Sequence, residues 1–317
     1  MEWTSSLISM HAEIPVNCCI VIPIYRPTLT WVERAAVLNT CKLLSGFSLR
    51  IICPDGLDLY SHMPELLVEM RQYNNDVDIL QLESKFFAST HTYNQLLLSP
   101  SFYRLFLRWQ YMLVAQIDAW IFSPRLAPWL AKAYSYVGAP WRTIPNLPPG
   151  IACPPEAVGN GGLSLRRVRD HYAVLSSWRF RCSPVLGIQE LLVAHPPLQN
   201  FSWRKPLPSI AKAINRVRLI LMRLTSWRNS LAYFCRCGLN EDLVFGLLVP
   251  RIFVGFLVPD PAMAAHFALD ANPDFFYGRY FSSDCLPFGC HAWEKSYGQF
   301  WQHRNTSLPR LSVSSAD

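Results

Sequence analysis

Residues 17–24 read NCCIVIPI, a short run that is apolar at nearly every position and carries several β-branched side chains. A strand with one wet face alternates polar and apolar residues; one that is apolar throughout is covered on both faces, as in the parallel sheets of α/β proteins. Tyr25-Arg26-Pro27 ends the run. Residues 29–44 then have helical spacing, with Trp31, Ala35, Leu38 and Cys41 along one side. A second apolar run, 49–53, closes on Pro54-Asp55-Gly56; 60–70 reads as helix and 77–82 as a third strand. The order strand–helix–strand–helix–strand predicts an α/β protein with a doubly wound, mostly parallel central sheet flanked by helices. Ligands of such a sheet sit outside the carboxyl ends of its strands.

Further on, 102–109 is helix-like and aromatic, and 111–117 is apolar enough for a central strand. It runs into Gln116-Ile117-Asp118-Ala119. A carboxylate where a buried strand emerges is costly unless it is paired, hydrogen-bonded or on a cation; an Asp capping the next turn is the plainer account. Residues 124–133 read as helix, 134–141 as strand, and 142–155 as a Pro-rich loop. Then comes Val158-Gly159-Asn160-Gly161-Gly162-Leu163-Ser164-Leu165-Arg166. Glycine admits positive φ and lets backbone approach a ligand closely, and Asn adds donors and acceptors. A bare Gly-Gly mainly marks a turn. Here it has company in the polar loops Gly138-Ala139-Pro140-Trp141 and Asn240-Glu241-Asp242, and binding residues concentrate on such loops. A helix is predicted over 168–178, and 243–249 is again apolar.

The chain of 317 residues is 51% hydrophobic and 16% charged, which excludes disorder and fits one domain with a substantial core. Ten cysteines form no Cys-x-x-Cys pair and no zinc spacing, so reduced thiols and a cytoplasmic location are expected. The first fourteen residues lack the layout of a signal peptide, and the apolar stretch 243–258 is broken by Pro250-Arg251 before it could span a bilayer.

The formal charge of +7 is local in origin. No Asp or Glu lies between Glu190 and Glu241, while Arg204, Lys205, Lys212, Arg216, Arg218, Arg223, Arg228 and Arg236 do. Ile210, Ile214, Val217, Leu221 and Leu224 recur at helical spacing, so 196–232 reads as a basic amphipathic insertion. It either packs its stripe on the domain or docks residues 204–228 on an anionic membrane surface, making the protein peripheral there. Nucleic acid is a poorer partner for it, since no recognisable binding motif accompanies the charge.

Taken in order, Tyr93-Asn94, Gln116-Ile117-Asp118-Ala119, Gly138-Ala139-Pro140-Trp141, Asn160-Gly161-Gly162-Leu163-Ser164-Leu165-Arg166, Asn240-Glu241-Asp242 and Gly289-Cys290-His291-Ala292-Trp293 resemble a known family. It is the microbial, glycosyltransferase-like family catalogued as domain of unknown function 5672, placed among the GT-A-type nucleotide-sugar glycosyltransferases. The resemblance covers roughly residues 15–300. It implies a Rossmann-like GT-A fold, a nucleotide-sugar donor and a glycan or lipid-linked acceptor.

It also implies roles for residues. Gln116, Asp118, Trp141, Asn160, Gly161, Gly162, Arg166 and Asn240 would contact donor or acceptor. Enzymes of this type commonly hold Mn²⁺ or Mg²⁺ on an Asp-x-Asp pair and a late His, which here gives Asp118 and His291 as metal residues. The first Asp is Gln116, which brings no charge, and a lone His before Trp is more often a packed residue. Asn240-Glu241-Asp242 is similar to the acidic pair of inverting members, with Asp242 as general base and Glu241 on hydroxyls. Two acids in the first turn of a helix would explain them equally. The competing functions are a catalytically inert GT-A-like module that binds glycans or partners, and a metal-assisted hydrolase using Asp118, Asp242 and His291.

Overall fold

The protein is seen in a computed structural model that describes residues 17–142, 156–177, 239–282 and 285–309. Strand β1 (Cys18–Pro23) is buried along its whole length. Cys19 and Val21 enter the core on one face of the sheet, and Cys18, Ile20 and Ile22 the core on the other. Helix α1 (Trp31–Leu43) starts on a capping box, in which Thr30 accepts from the Glu33 N–H and Glu33 accepts from the Thr30 N–H. That exchange turns Glu33 inward, so the buried stripe is Val32, Ala36, Val37, Thr40 and Cys41. The expected stripe is therefore turned by one position, and Trp31 is left 54% exposed.

Strand β2 (Ser48–Pro54) follows, then helices α2 (Leu59–His62) and α3 (Pro64–Tyr73). The single helix expected over 60–70 is broken because Pro64 has no N–H and clashes with a preceding turn. After β3 (Val77–Leu82) come α4 (Thr90–Leu97), α5 (Pro100–Arg104) and β4 (Tyr111–Ala115). Next are β5 (Trp120–Ile121), α6 (Ala127–Ala131), β6 (Tyr136–Val137) and β7 (Pro140–Trp141). The strand expected over 134–141 is thus two strands in different sheets. They part at Gly138, which passes so close to the Gly159 carbonyl that a Cβ would lie 1.7 Å from it.

Strands β8 (Ala157–Val158) and β9 (Leu163–Arg167) lead to α7 (Val168–Ser176). The central sheet has the order β3-β2-β1-β4-β9-β6. The first four strands are parallel; β9 is antiparallel to both its neighbours, so it alone runs against the rest. The chain moves outward from β1 to β3 and returns to β4 on the other side of β1. The crevice at the carboxyl ends of β1 and β4 is where such a sheet changes direction and binds ligands.

Past residue 238, Glu241–Leu243, a π-helical turn Val244–Leu248 and Val249–Ile252 form one continuous helical path against the sheet. Helices Pro261–Phe267 and Pro273–Tyr280 follow, with β10 (Ala268–Leu269) between them and β11 (Gly289–Cys290) after. A small sheet, β10-β11-β5, lies over its own core of Trp120, Leu269, Cys290, Trp293 and Trp301. The basic insertion at 196–232 and loop residues 143–155 lie outside the described residues. Among the described residues, no helix is long and apolar enough to cross a membrane, and the six cysteines are free thiols.

Candidate functional site

The small sheet brings three sequence-distant polar residues together. Asp118 stands two residues before β5, Asp270 directly after β10 and His291 directly after β11. Because β5 is antiparallel to β11 while β10 is parallel to it, the entry of β5 meets the exits of the other two. His291 Nε2 lies 3.1 Å from Asp118 Oδ1 and 3.1 Å from Gln116 Oε1, and its Nδ1 lies 3.4 Å from Asp270 Oδ1. Lys295 Nζ donates to Asp118 Oδ2 at 2.6 Å.

Burial opposes charge at Asp118, but His291 and Lys295 outweigh it and hold its carboxyl well below the usual range. Burial likewise opposes charge on His291; its contacts with Asp118 and Asp270 push it up to about 10, so the imidazolium sits between two carboxylates. Ala292, the next residue, adopts φ 49° and donates its N–H to the Asp118 carbonyl at 3.1 Å. A left-handed alanine is costly backbone, held here by the surrounding contacts.

The glycine loop packs directly on this cluster. Asn160 adopts φ 61°, and its Oδ1 accepts from the Gly162 N–H at 2.9 Å and the Leu163 N–H at 3.4 Å. Its Nδ2 lies 3.3 Å from His291 Nδ1. Gly162 lies under the imidazole, where a Cβ would come within 2.0 Å of His291 Nε2. Trp141 is buried beneath the loop, and a Cβ on Gly159 would collide with its ring at 1.9 Å. The loop is thus shaped by close approach as well as by its turn.

Its far side meets the acidic motif. The Gly161 N–H donates to Asp242 Oδ2 at 3.2 Å, while the Gly161 carbonyl lies 3.4 Å from Arg166 Nη2. Arg166 is fully buried and donates to Glu241 Oε1 at 2.9 Å, to Tyr103 Oη at 3.0 Å and to Ser164 Oγ at 3.0 Å. Asn94 anchors the other end, accepting from the Glu241 N–H and donating to Asn240 Oδ1, each at 3.0 Å. Asp242 is half-buried. Burial and the neighbouring Glu241 carboxylate push its pKa up to about 7.

The structure therefore joins Gln116, Asp118, Asn160, Gly161, Gly162, Asp242 and His291 through one chain of contacts. Trp141, Arg166 and Glu241 lie beneath that chain, and Asn240 at the start of its helix. Glu156, an acid just ahead of the glycine motif, is turned away onto Tyr280 Oη at 2.6 Å and Arg279 at 2.9 Å. Asn94, Asp270 and Lys295 are functional candidates that the motif reading left without a role. Asp270 ends an apolar run as Asp118 does, a signal that was there to use; nothing local marks Lys295.

The expected divalent metal can be tested against the donor set. Mg²⁺ and Mn²⁺ take oxygen ligands, usually one or two carboxylates with phosphates and water. Asp118 has one oxygen facing His291 and the other facing Lys295, and both ring nitrogens of His291 face carboxylates. Among the described residues, no group of three or more His, Cys, Asp and Glu side chains is arranged to hold a metal. In this arrangement Asp118 and His291 do not fit a divalent cation.

The model of a family described as "Protein of unknown function (DUF5672)" matches residues 76–291. No curated protein matches the chain. Among solved structures, it is similar to the apo form of the glycosyltransferase GlyE of Streptococcus pneumoniae TIGR4, with 10% identity and a TM-score of 0.41. That alignment covers 91% of this chain but only 60% of the other. The galactosyltransferase LgtC, in complex with donor and acceptor sugar analogues, aligns with 8% identity and a TM-score of 0.44 over 93% of this chain and 98% of that one.

Proposed function

The chain belongs to the DUF5672 family, and we propose that it is a glycosyltransferase that moves a sugar from a nucleoside-diphosphate sugar to an acceptor hydroxyl. The observation that carries this reading is Asp242: a half-buried residue whose carboxyl has its pKa pushed up to about 7, placed beside the glycine loop and joined through it to Asp118. A sugar hydroxyl is a weak nucleophile at neutral pH and needs a base whose pKa lies near the working pH. The crevice at the ends of β1 and β4 supplies the donor side, where open α/β sheets take nucleotides. The Asn160-Gly161-Gly162 loop lies between the two.

In this mechanism Asp242 takes the acceptor proton as the new bond to the anomeric carbon forms, with inversion of configuration. Burial and the Glu241 carboxylate keep Asp242 basic, and the Glu241–Arg166 pair keeps the loop in place. The acceptor is a glycan or lipid-linked sugar of a surface polysaccharide or glycoconjugate, and the basic insertion would bring the protein to the anionic membrane that holds it.

The test is incubation of the full chain with a panel of nucleotide-sugars and simple glycan acceptors, reading released nucleotide and the anomeric configuration of the product. Asp242→Asn should slow transfer about 10²- to 10⁴-fold while leaving donor binding intact. A chain that binds nucleotide-sugars but never releases nucleotide would be the inert binding module instead. The paired state of Asp118 favours that second reading, since its carboxylate is already neutralised.

A further inference from the structure

We propose that Lys295, anchored on Asp118, binds the donor's diphosphate directly and takes the place of a bridging divalent metal. This deepens the nucleotide-sugar reading above and rests on it. The starting point is the mismatch between Asp118 and a metal. The Asp118 carboxylate is 9% exposed and spends one oxygen on His291 at 3.1 Å and the other on Lys295 at 2.6 Å. Gln116, at the other position of the pair, adds no charge and lies against the same imidazole nitrogen. The positive charge that a metal would bring to this carboxylate is already supplied by side chains.

Lys295 differs from His291 in what it has left to give. Both ring nitrogens of His291 face carboxylates, at 3.1 Å and 3.4 Å, so the imidazole offers no further donor. An ammonium carries three N–H donors, and Asp118 Oδ2 is the one acceptor for Lys295 among the described residues. The side chain is 63% exposed, so the remaining donors are open to solvent and not buried in the core. A buried carboxylate that fixes a lysine while leaving its tip open makes a placed cation, and lysine is a regular phosphate binder acting as a point charge.

The position fits as well. Asp118 follows the carboxyl end of β4 by three residues, so the ammonium it holds stands at that end of the sheet. Arg26 follows β1 at the same end, held by the Thr28 carbonyl, Tyr25 Oη and Glu33. Glu294 lies within reach of both cations. Each of Asp118 and Arg26 is therefore paired inside the protein, and among the described residues the free donors of Lys295 are uncommitted positive charge at this point.

The experiment is calorimetric titration of the full chain with the diphosphates of uridine, adenosine, guanosine, cytidine and thymidine, each in EDTA and again in Mn²⁺. At least one should bind in EDTA. Lys295→Gln should weaken that binding about ten- to a hundredfold, the range for a charge-assisted hydrogen bond, and Lys295→Arg should keep most of it. On the unaltered protein, acylation of the Lys295 amine, read by peptide mass, should slow when the diphosphate is present. Binding that requires Mn²⁺, survives Lys295→Gln, or leaves Lys295 acylation unchanged would overturn the proposal while leaving a glycosyltransferase possible. Binding of none of the five in either condition would overturn the nucleotide-sugar reading and this proposal with it.

Discussion

Arg166 Nη2 and Glu241 Oε1 lie 2.9 Å apart with both side chains buried, one on the strand after the glycine loop and the other at the start of the helical path that carries Asp242. Arg166 also reaches the Gly161 carbonyl, while Asp242 takes the Gly161 N–H. Gly161 is thereby held on both sides, its carbonyl by Arg166 and its N–H by Asp242, and Arg166 is itself paired with the residue before Asp242. The ion pair sets where the proposed base sits.

Breaking that pair should be expensive. Glu241→Gln keeps the shape but leaves the buried guanidinium unpaired, and removing one partner of a buried pair costs about 3–5 kcal/mol. Urea unfolding of the two proteins measures it. The double variant Arg166→Met with Glu241→Leu should recover much of the loss, because no charge is then left stranded.

Asp242→Asn should lower kcat about 10²- to 10⁴-fold, the usual worth of a general base, with little change in donor affinity. In the unaltered protein kcat/KM should rise with pH through about 7, where Asp242 loses its proton. The stability effect has the opposite slope. The folded state holds this proton longer than the unfolded one, so stability falls as pH rises from the ordinary carboxylate range toward 7. Parallel pH series of rate and of unfolding midpoint, with Asp242→Asn as the flat reference, test both.

Gly162→Ala places a methyl group 2.0 Å from His291 Nε2, inside any allowed contact. The imidazole must move, and with it the contacts to Asp118 and Gln116. Overpacking of this kind typically costs about 1–3 kcal/mol. Thermal unfolding should show that loss, together with loss of transfer activity. Alanine at Gly46, which meets nothing within 4 Å, is the control.

His291 gives a second pH signature. Its pKa is raised from the ordinary value to about 10 by Asp118 and Asp270. The stability it contributes is fully present below the unfolded pKa, near neutrality, and is lost as pH rises through about 10. The melting temperature should decline over that window in the unaltered protein. His291→Gln should be less stable at pH 7 and flatter above it.

The basic insertion makes a prediction from its sequence. Replacing Lys212, Arg216 and Arg223 by Gln should weaken co-sedimentation with vesicles containing anionic lipid, each charge near the surface contributing about 1 kcal/mol. Donor release should be unaffected.

The sequence by itself determined the sheet. Runs such as 17–24 and 49–53 are apolar on both faces, and a segment with nowhere to put a wet side has to be covered on both. Strand order is then limited by the length and helical spacing of the connections. The loops of the candidate site were also legible, since Asn160-Gly161-Gly162 and Asn240-Glu241-Asp242 mark themselves as polar breaks in apolar surroundings. Tertiary structure alone decided what each polar side chain does there. Leu163-Ser164-Leu165-Arg166 alternates as a strand with one wet face would, yet Ser164 and Arg166 are buried because helical segments cover that side. Trp141 looked like a ligand-facing aromatic and lies under the loop. Glu241 and Asp242 are neighbours that the helix sends in different directions, one into a buried ion pair and one onto the Gly161 N–H. Lys295 gains its place because β5 and β11 run antiparallel and bring the segment after β11 back onto Asp118, 177 residues away. Propensity and pattern act over a few residues, whereas pairing a charge depends on which strands meet. That is settled only when the chain has folded.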